Sequence, residues 1–135
     1  MRLKISEIVK AAGGKLLCGD GNTVVTAFST DSRQIKPGVM FVPIRGEKTD
    51  GHSFIDGVLE SGAAATFTDH EVPLRDQPVV LVGDCRTALQ KAAAYYRSQF
   101  TLPIVGVTGS VGKTTTKEMI AQALTASFNV MKTAG

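Results

Sequence analysis

The first apolar residues of the chain fall in an amphipathic pattern broken by Glu7 and Lys10, with Ser6 as an N-cap and Gly13-Gly14 as a stop. That spacing predicts a short helix reaching Ala12. Short β-rich runs follow at Leu16–Cys18 and Val24–Ser29, and again at Val39–Ile44 after the turn Lys36-Pro37-Gly38. Ser53 offers a cap for a helix to about Ser61, which Gly62 ends. Ala63–Thr68 and Val79–Val82 read as strands, the second almost continuously apolar, as buried parallel strands are.

Downstream the rhythm lengthens. Asp84 caps a predicted helix over Arg86–Phe100, with Leu89, Ala92, Ala93 and Tyr96 on its apolar face. After Pro103, Ile104–Val107 reads as a strand, Gly109–Gly112 as a loop and Lys113–Ser127 as a helix with Met119, Ile120, Ala123 and Leu124 inward. Phe128–Met131 starts another strand. Strands alternating with helices predict an α/β protein with a mostly parallel sheet. Glu71–Pro78, with two prolines, is the best internal boundary, and the expected division is 1–82 and 83–135. The second part looks unfinished: a doubly wound nucleotide domain wants about five strands or more, and few follow Asp84.

The stretch Ile104-Val105-Gly106-Val107-Thr108-Gly109-Ser110-Val111-Gly112-Lys113-Thr114-Thr115-Thr116 carries chemistry. An apolar run enters a glycine-bearing loop, and Gly-Lys-Thr opens a helix. Glycines let successive backbone N–H groups point inward at phosphate oxygens, and a helix N-terminus adds unpaired donors and partial positive charge. Lys113 supplies a point charge for β- and γ-phosphates, and the Thr114 hydroxyl is a ligand for Mg²⁺. Gly109, Ser110, Val111, Gly112, Lys113, Thr114 and Thr115 are therefore the candidate nucleotide site, with Lys113 and Thr114 as its catalytic pair. The usual spacing would put glycine at 107, where this chain has Val107; its glycines stand at 106, 109 and 112.

That departure resembles the loop of the Mur ligases and of the related folylpolyglutamate synthases. Phe28–Arg33, Pro37–Val42 and Gly46-Glu47-Lys48-Thr49-Asp50-Gly51-His52-Ser53-Phe54 resemble the N-terminal UDP-binding domain of the later Mur ligases, which the synthases lack. Gly109–Met119 and the closing Lys132-Thr133-Ala134-Gly135 look most like the branch that adds D-alanyl-D-alanine to UDP-N-acetylmuramoyl-tripeptide. The neighbouring branch, which adds the third residue, is the alternative, and a non-catalytic UDP-binding module is a second.

The resemblance implies a small α/β UDP-binding domain followed by the start of a P-loop central ATPase domain with a mostly parallel sheet. It also implies ATP and Mg²⁺ as cofactors. In the family's chemistry ATP phosphorylates the tripeptide carboxylate, the D-alanyl-D-alanine amine attacks the acyl phosphate, and an amide and phosphate result. Further magnesium-holding carboxylates, a carbamylated lysine and the domain that binds D-alanyl-D-alanine would lie beyond Gly135. This chain alone is then expected to be inactive in ligation.

Thr30, Ser32 and Arg33, with Glu47, Lys48 and Thr49, become candidate contacts to the uridine nucleotide. Asp31-Ser32-Arg33 also fits a plain turn, and Glu47–Thr49 also fits a solvated loop. His52, beside Asp50, reads as a structural partner of the following helix. His70, in a surface loop, receives no role. Tyr95-Tyr96 reads as packing. Lys117 and Glu118 lie on the exposed side of the loop's helix.

The remaining composition narrows the class. Net charge is +3 with scattered Lys and Arg, six Phe, two Tyr and no Trp. A nucleic-acid binder would concentrate basic and aromatic residues on one stripe, so none is expected as partner. Cys18 and Cys85 have no second Cys or His at ligand spacing and read as buried thiols of a reducing compartment. No apolar run reaches the roughly 18 residues of a bilayer span, and Met1–Ser6 does not lead into a signal segment. The expectation is a cytoplasmic monomer.

Overall fold

The computed structural model describes residues 1–47 and 49–134. The chain forms two compact units, Met1–Phe100 and Thr101–Gly135. In the first, β2 (Lys15–Cys18), β4 (Ala27–Ser29), β5 (Val39–Phe41), β6 (Ala65–Thr68) and β7 (Val79–Leu81) build one sheet in the order β2-β7-β6-β5-β4. The strands β4, β5, β6 and β7 are mutually parallel, and β2 closes the edge antiparallel to β7, with Lys15 opposite Leu81. Two further strands, β1 (Leu3–Lys4) and β3 (Val24–Val25), form an antiparallel ribbon. The expectation of an α/β fold with a mostly parallel sheet holds.

Strand periodicity distributes the core over both sheet faces. Met40, Val42, Ala65, Phe67, Val80 and Val82 join the cluster formed with α1 (Ile5–Ala12) and α3 (Cys85–Ser98) through Ile5, Ile8, Cys85, Ala88 and Ala92. Phe41 and Val79 face the other way, onto Ile55, Val58 and Leu59 of α2 (Ile55–Glu60). With helices on both faces, the central strands have no water-facing side, which is why Val79–Val82 lacks polar alternation. Thr66 and Thr68 are fully buried in β6, and both hydroxyls are satisfied: Thr66 donates to the Phe67 carbonyl at 2.9 Å and Thr68 to the His70 carbonyl at 2.8 Å.

Several predicted boundaries shift for physical reasons. The first helix begins at Ile5, with Lys4 rather than Ser6 as N-cap, because the Glu7 carboxylate reaches back to the Lys4 amide at 2.7 Å. Val24–Ser29 divides into β3 and β4, which belong to different sheets. Ahead of α2 the turn is capped by Asp50, whose carboxylate accepts from the His52 amide, and Ser53 lies inside that turn. The inward face of α3 is Cys85, Ala88 and Ala92 with half-buried Leu89, Tyr95 and Tyr96, while Ala93 is exposed. Tyr95 ties α3 to α1 by donating to Glu7 at 3.3 Å. The proline-bearing segment 71–78 connects the paired strands β6 and β7 within one sheet.

Asp84 caps α3 as expected, accepting from the Thr87 amide at 2.7 Å. Asp84→Ala leaves that helix end uncapped and is expected to lower stability by about 1 kcal/mol. Denaturant titration followed by circular dichroism reads this directly; an unchanged midpoint refutes the capping contribution.

The second unit holds α4 (Lys113–Thr125). The predicted strands Ile104–Val107 and Phe128–Met131 are not strands. A strand exists only as a member of a ladder, and among the described residues neither segment has a partner strand. Ile104 and Val105 are exposed accordingly. On α4 only Ala121 is buried; Ile120 and Leu124 are half-buried, Met119 and Ala123 exposed. Among the described residues no helix is long and apolar enough to cross a membrane.

Candidate functional site

The loop before α4 is shaped by two glycines. Gly109 has φ +147° and Gly112 φ +78°, values that L side chains rarely adopt. Gly112 is the N-cap of α4 and has no side chain to offer, so nothing caps the helix from its own first position. The helical ladder starts with the Thr116 amide on the Gly112 carbonyl at 2.9 Å, which places the Lys113, Thr114 and Thr115 amides ahead of it in the first turn. An added Cβ at Gly112 would meet nothing within 4 Å, and at Gly109 nothing nearer than the Val111 carbonyl at 3.7 Å. Lys113 folds its ammonium back onto the Gly109 carbonyl, so its charge sits over the loop.

Farther along α4, the Lys117 ammonium donates to the Thr133 carbonyl at 2.7 Å and is engaged away from the loop. Glu118 pairs with Lys132, which holds its carboxyl below the usual carboxylate range.

The first unit presents a different surface. Because β4–β7 are parallel, the segments that leave them share the carboxyl edge of the sheet, where α/β proteins bind ligands. Thr30, Ser32 and Arg33 leave β4. Asp31 caps the turn Ser32–Gln34 by accepting from the Arg33 amide at 3.0 Å. The Arg33 guanidinium closes a bidentate pair on the same carboxylate, Nε at 2.9 Å and Nη2 at 2.9 Å. That pairing, with the amide bond behind it, holds the Asp31 carboxyl far below the ordinary range and raises the Arg33 guanidinium. Ser32 is half-buried and Thr30 exposed.

The loop after β5 folds into a small hairpin. Arg45 bridges Asp50, and the Gly46 amide donates to the Thr49 carbonyl at 2.9 Å. Gly51 is required at its base, since a Cβ there would lie 2.7 Å from the Ile44 nitrogen. Glu47 and Thr49 stand exposed on this hairpin; Lys48 lies outside the described residues.

A cleft of about 460 Å³ opens beside the hairpin, lined among others by Arg45, His52, Asp69, Asp84, Cys85 and Arg86. His52 is nearly buried here, at 6% side-chain exposure, with Nδ1 on Asp50 at 2.6 Å and Nε2 near Asp69 at 3.2 Å. His70 Nδ1 lies 2.8 Å from the same Asp69 oxygen. Cys85 Sγ is 3.7 Å from His52 Nε2, and burial, ahead of the nearby Asp69 charge, pushes its thiol up to about 12. Sequence spacing gave His70 and Cys85 no partners, and the fold supplies them. The available signal was that Asp69-His70 and Asp84-Cys85 each follow a strand of the parallel sheet.

The profile described as "Mur ligase family, catalytic domain" matches residues 24–97. The chain belongs to the Mur ligase family. A second profile, "Mur ligase middle domain", matches 107–135 of this Mur ligase chain. It is 43% identical over 115 residues to the UDP-N-acetylmuramoyl-tripeptide--D-alanyl-D-alanine ligase of Bacillus subtilis, covering 84% of this chain and 25% of the relative. Against the ligase of the same name from Synechocystis sp. it is 51% identical over 111 residues, covering 81% and 24%. The crystal structure of MurF ligase from Thermotoga maritima in complex with ADP superposes with TM-score 0.74 at 37% identity, over 82% of this chain and 26% of that one. This Mur ligase chain therefore spans about a quarter of the length of those relatives.

Proposed function

We propose that this chain is the N-terminal part of an ATP-dependent amide ligase of peptidoglycan precursor synthesis, joining D-alanyl-D-alanine to UDP-N-acetylmuramoyl-tripeptide through an acyl phosphate. The observation that carries this reading is the uncapped N-terminus of α4, entered through two positive-φ glycines with Lys113 folded over the loop. Such a loop offers a helix N-terminus and one positive charge, which fits a triphosphate. Names of the relatives and the ADP held by the Thermotoga ligase support it.

In this reading residues 1–82 serve the uridine end of the substrate and 83–135 begin the nucleotide domain, although α3 packs within the first compact unit. Gly109–Thr115 hold the phosphates of ATP by their amides, and ATP supplies the phosphoryl group. Lys113 neutralises charge on the β- and γ-phosphates. Thr114, in the first turn of α4, would hold Mg²⁺ through its hydroxyl oxygen, and the ion would neutralise charge on the phosphates. Thr30, Ser32, Arg33, Glu47, Lys48 and Thr49 contact the nucleotide-sugar substrate from the carboxyl edge of the sheet. Arg33 is already committed to Asp31, so its role there is to fix the turn that presents Ser32 and the neighbouring amides. The protein works as a monomer in the cytoplasm, where nucleotide-linked precursors and ATP are both present.

The substrate half has its own test. In the complete ligase, Ser32→Ala is expected to raise KM for the UDP-linked substrate about three- to tenfold, the worth of one hydrogen bond, and to leave KM for ATP unchanged. An unchanged KM for the UDP-linked substrate removes Ser32 from the site.

A further inference from the structure

The segment that leaves α4 turns back along it. The Ser127 and Phe128 amides donate to the Leu124 carbonyl at 3.0 and 2.9 Å, which closes the turn. Val130 and Lys132 then line a groove of about 280 Å³ together with Glu118, Ala121 and Thr125. The Thr133 carbonyl accepts from the Lys117 ammonium at 2.7 Å. Later residues of the segment thus meet earlier residues of the helix, so the two run in opposite directions. No strand pairs with the segment among the described residues. Its course is set by the turn at one end and by the polar contacts of Lys117 and Glu118 at the other.

Helical spacing says where that course leads. Lys117 and Glu118 stand four residues after Lys113 and Thr114, so one stripe of the helix carries all four, and the buried Ala121 continues it. Lys117 is about 6 Å along the axis from Lys113. The returning segment therefore lies on the side of α4 that begins with the two residues read as phosphate and magnesium contacts. The polar groups are arranged to hold it there. Lys117 is half-buried, with 19% of its side chain exposed, rather than on the exposed side expected from the sequence. Besides the Thr133 carbonyl, its ammonium meets Glu118 Oε1 at 3.6 Å. Glu118 in turn binds the Lys132 ammonium through Oε2. One carboxylate joins an ammonium of the helix to an ammonium of the segment, and the helix ammonium closes the circuit on the segment's backbone.

We propose that Lys117, Glu118 and Lys132 are positioning residues of the nucleotide site, clamping Lys132 and Thr133 against α4 so that this segment forms a wall beside the phosphate loop. What the loop binds is taken from the ligase reading, on which this role rests. None of the three touches phosphate in this role: Lys117 is committed to a backbone carbonyl and a carboxylate, and Lys132 to the same carboxylate. Their work is to give one course to a segment that would otherwise sample many, which spares nucleotide binding the entropy of ordering it. The exposed Glu118–Lys132 pair contributes little alone, and the half-buried, charge-assisted Lys117 bond carries most of the effect.

The test uses the complete ligase and reads Mg²⁺-ADP affinity by calorimetry beside steady-state kinetics. Lys117→Met is expected to weaken ADP binding about five- to tenfold and to raise KM for ATP alike, with KM for the UDP-linked substrate unchanged. Lys117→Arg, which keeps a charged donor, recovers most of the loss. Lys132→Glu sets two carboxylates against each other and should weaken ADP binding about two- to fivefold. Combining Lys132→Glu with Glu118→Lys exchanges the pair and should return the affinity to within about twofold of the parent. Full affinity in Lys117→Met overturns the proposal. So does an unaffected Lys132→Glu, which would leave Lys117 acting on the phosphates by itself, and so does an exchange no better than Lys132→Glu alone. A parent protein that binds ADP without ligating sinks the ligase reading alone, and the affinities still decide the clamp. A parent that binds no ADP overturns both.

Discussion

Replacing Lys113 with alanine in the complete ligase is expected to cut ATP-dependent ligation by at least about a hundredfold while leaving affinity for the UDP-linked substrate unchanged. The asymmetry follows from where the residue sits. Lys113 is the first residue of α4, and its ammonium folds back onto the Gly109 carbonyl of the loop. Phosphoryl transfer leaves little covalent work for a protein; positioning and charge neutralisation dominate it, and one lost preorganised donor typically costs a factor of about 10² to 10³. The amides of Lys113–Thr115 and the helix terminus remain in the variant, so residual nucleotide affinity is expected. Lys113→Arg keeps the charge but replaces a compact ammonium with a planar fork, and it should recover only part of the rate. Near-normal turnover in Lys113→Ala would remove the loop from the mechanism.

The largest effect on stability is expected at Phe67. It lies in β6, in the middle of the sheet, is fully buried, and stacks on Phe28 with ring centroids 6.3 Å apart. Its flanking strands β5 and β7 are paired to β6 on both sides, so the site has little freedom to collapse. Phe67→Ala should therefore destabilise the first unit by about 3–5 kcal/mol. Against a total of roughly 5–15 kcal/mol for a domain, that is a large share. Urea denaturation would show the midpoint falling with little change in slope. Phe67→Leu, which keeps most of the volume, should lose less than half as much. Equal losses in the two variants would place the effect outside cavity formation.

Where the chain reads clearly and where it does not follows from the range of the interactions involved. The loop at Gly109–Thr115 is local: its glycines, lysine and helix start are contiguous, and the structure keeps that order. Asp84 as cap of α3 is equally local. The runs Ala65–Thr68 and Val79–Leu81 were recognisable because central parallel strands are apolar on both faces. By contrast, Ile104–Val107 has the composition of a strand, and composition cannot supply the partner that a ladder needs. Of the residues expected to face inward on α4, Ile120 and Leu124 are half-buried while Met119 and Ala123 are exposed, since an inward face is defined by what covers it.

The grouping of His52 with Asp69 and His70, and the approach of Cys85 to His52, left only a faint trace in the sequence, the position of Asp69-His70 and Asp84-Cys85 after strands. These residues are brought together only by strand order, and no spacing rule encodes that order. The Asp31–Arg33 turn shows the opposite: both of its rival readings rested on neighbours, and the bidentate pair makes the arginine a builder of the turn.

The edge strand β2 has a consequence for how the molecule comes into being. Lys15 and Leu16 are paired with Leu81 and Val80, so the earliest strand of the sheet takes its place against the latest. A nascent chain that has not yet released Leu81 holds only one side of that ladder, whatever its other strands have achieved. Closing so long a loop costs chain entropy before it gains contacts. Birth at the ribosome therefore leaves residues 15–18 waiting, and the first unit becomes sealed only after β7 has emerged.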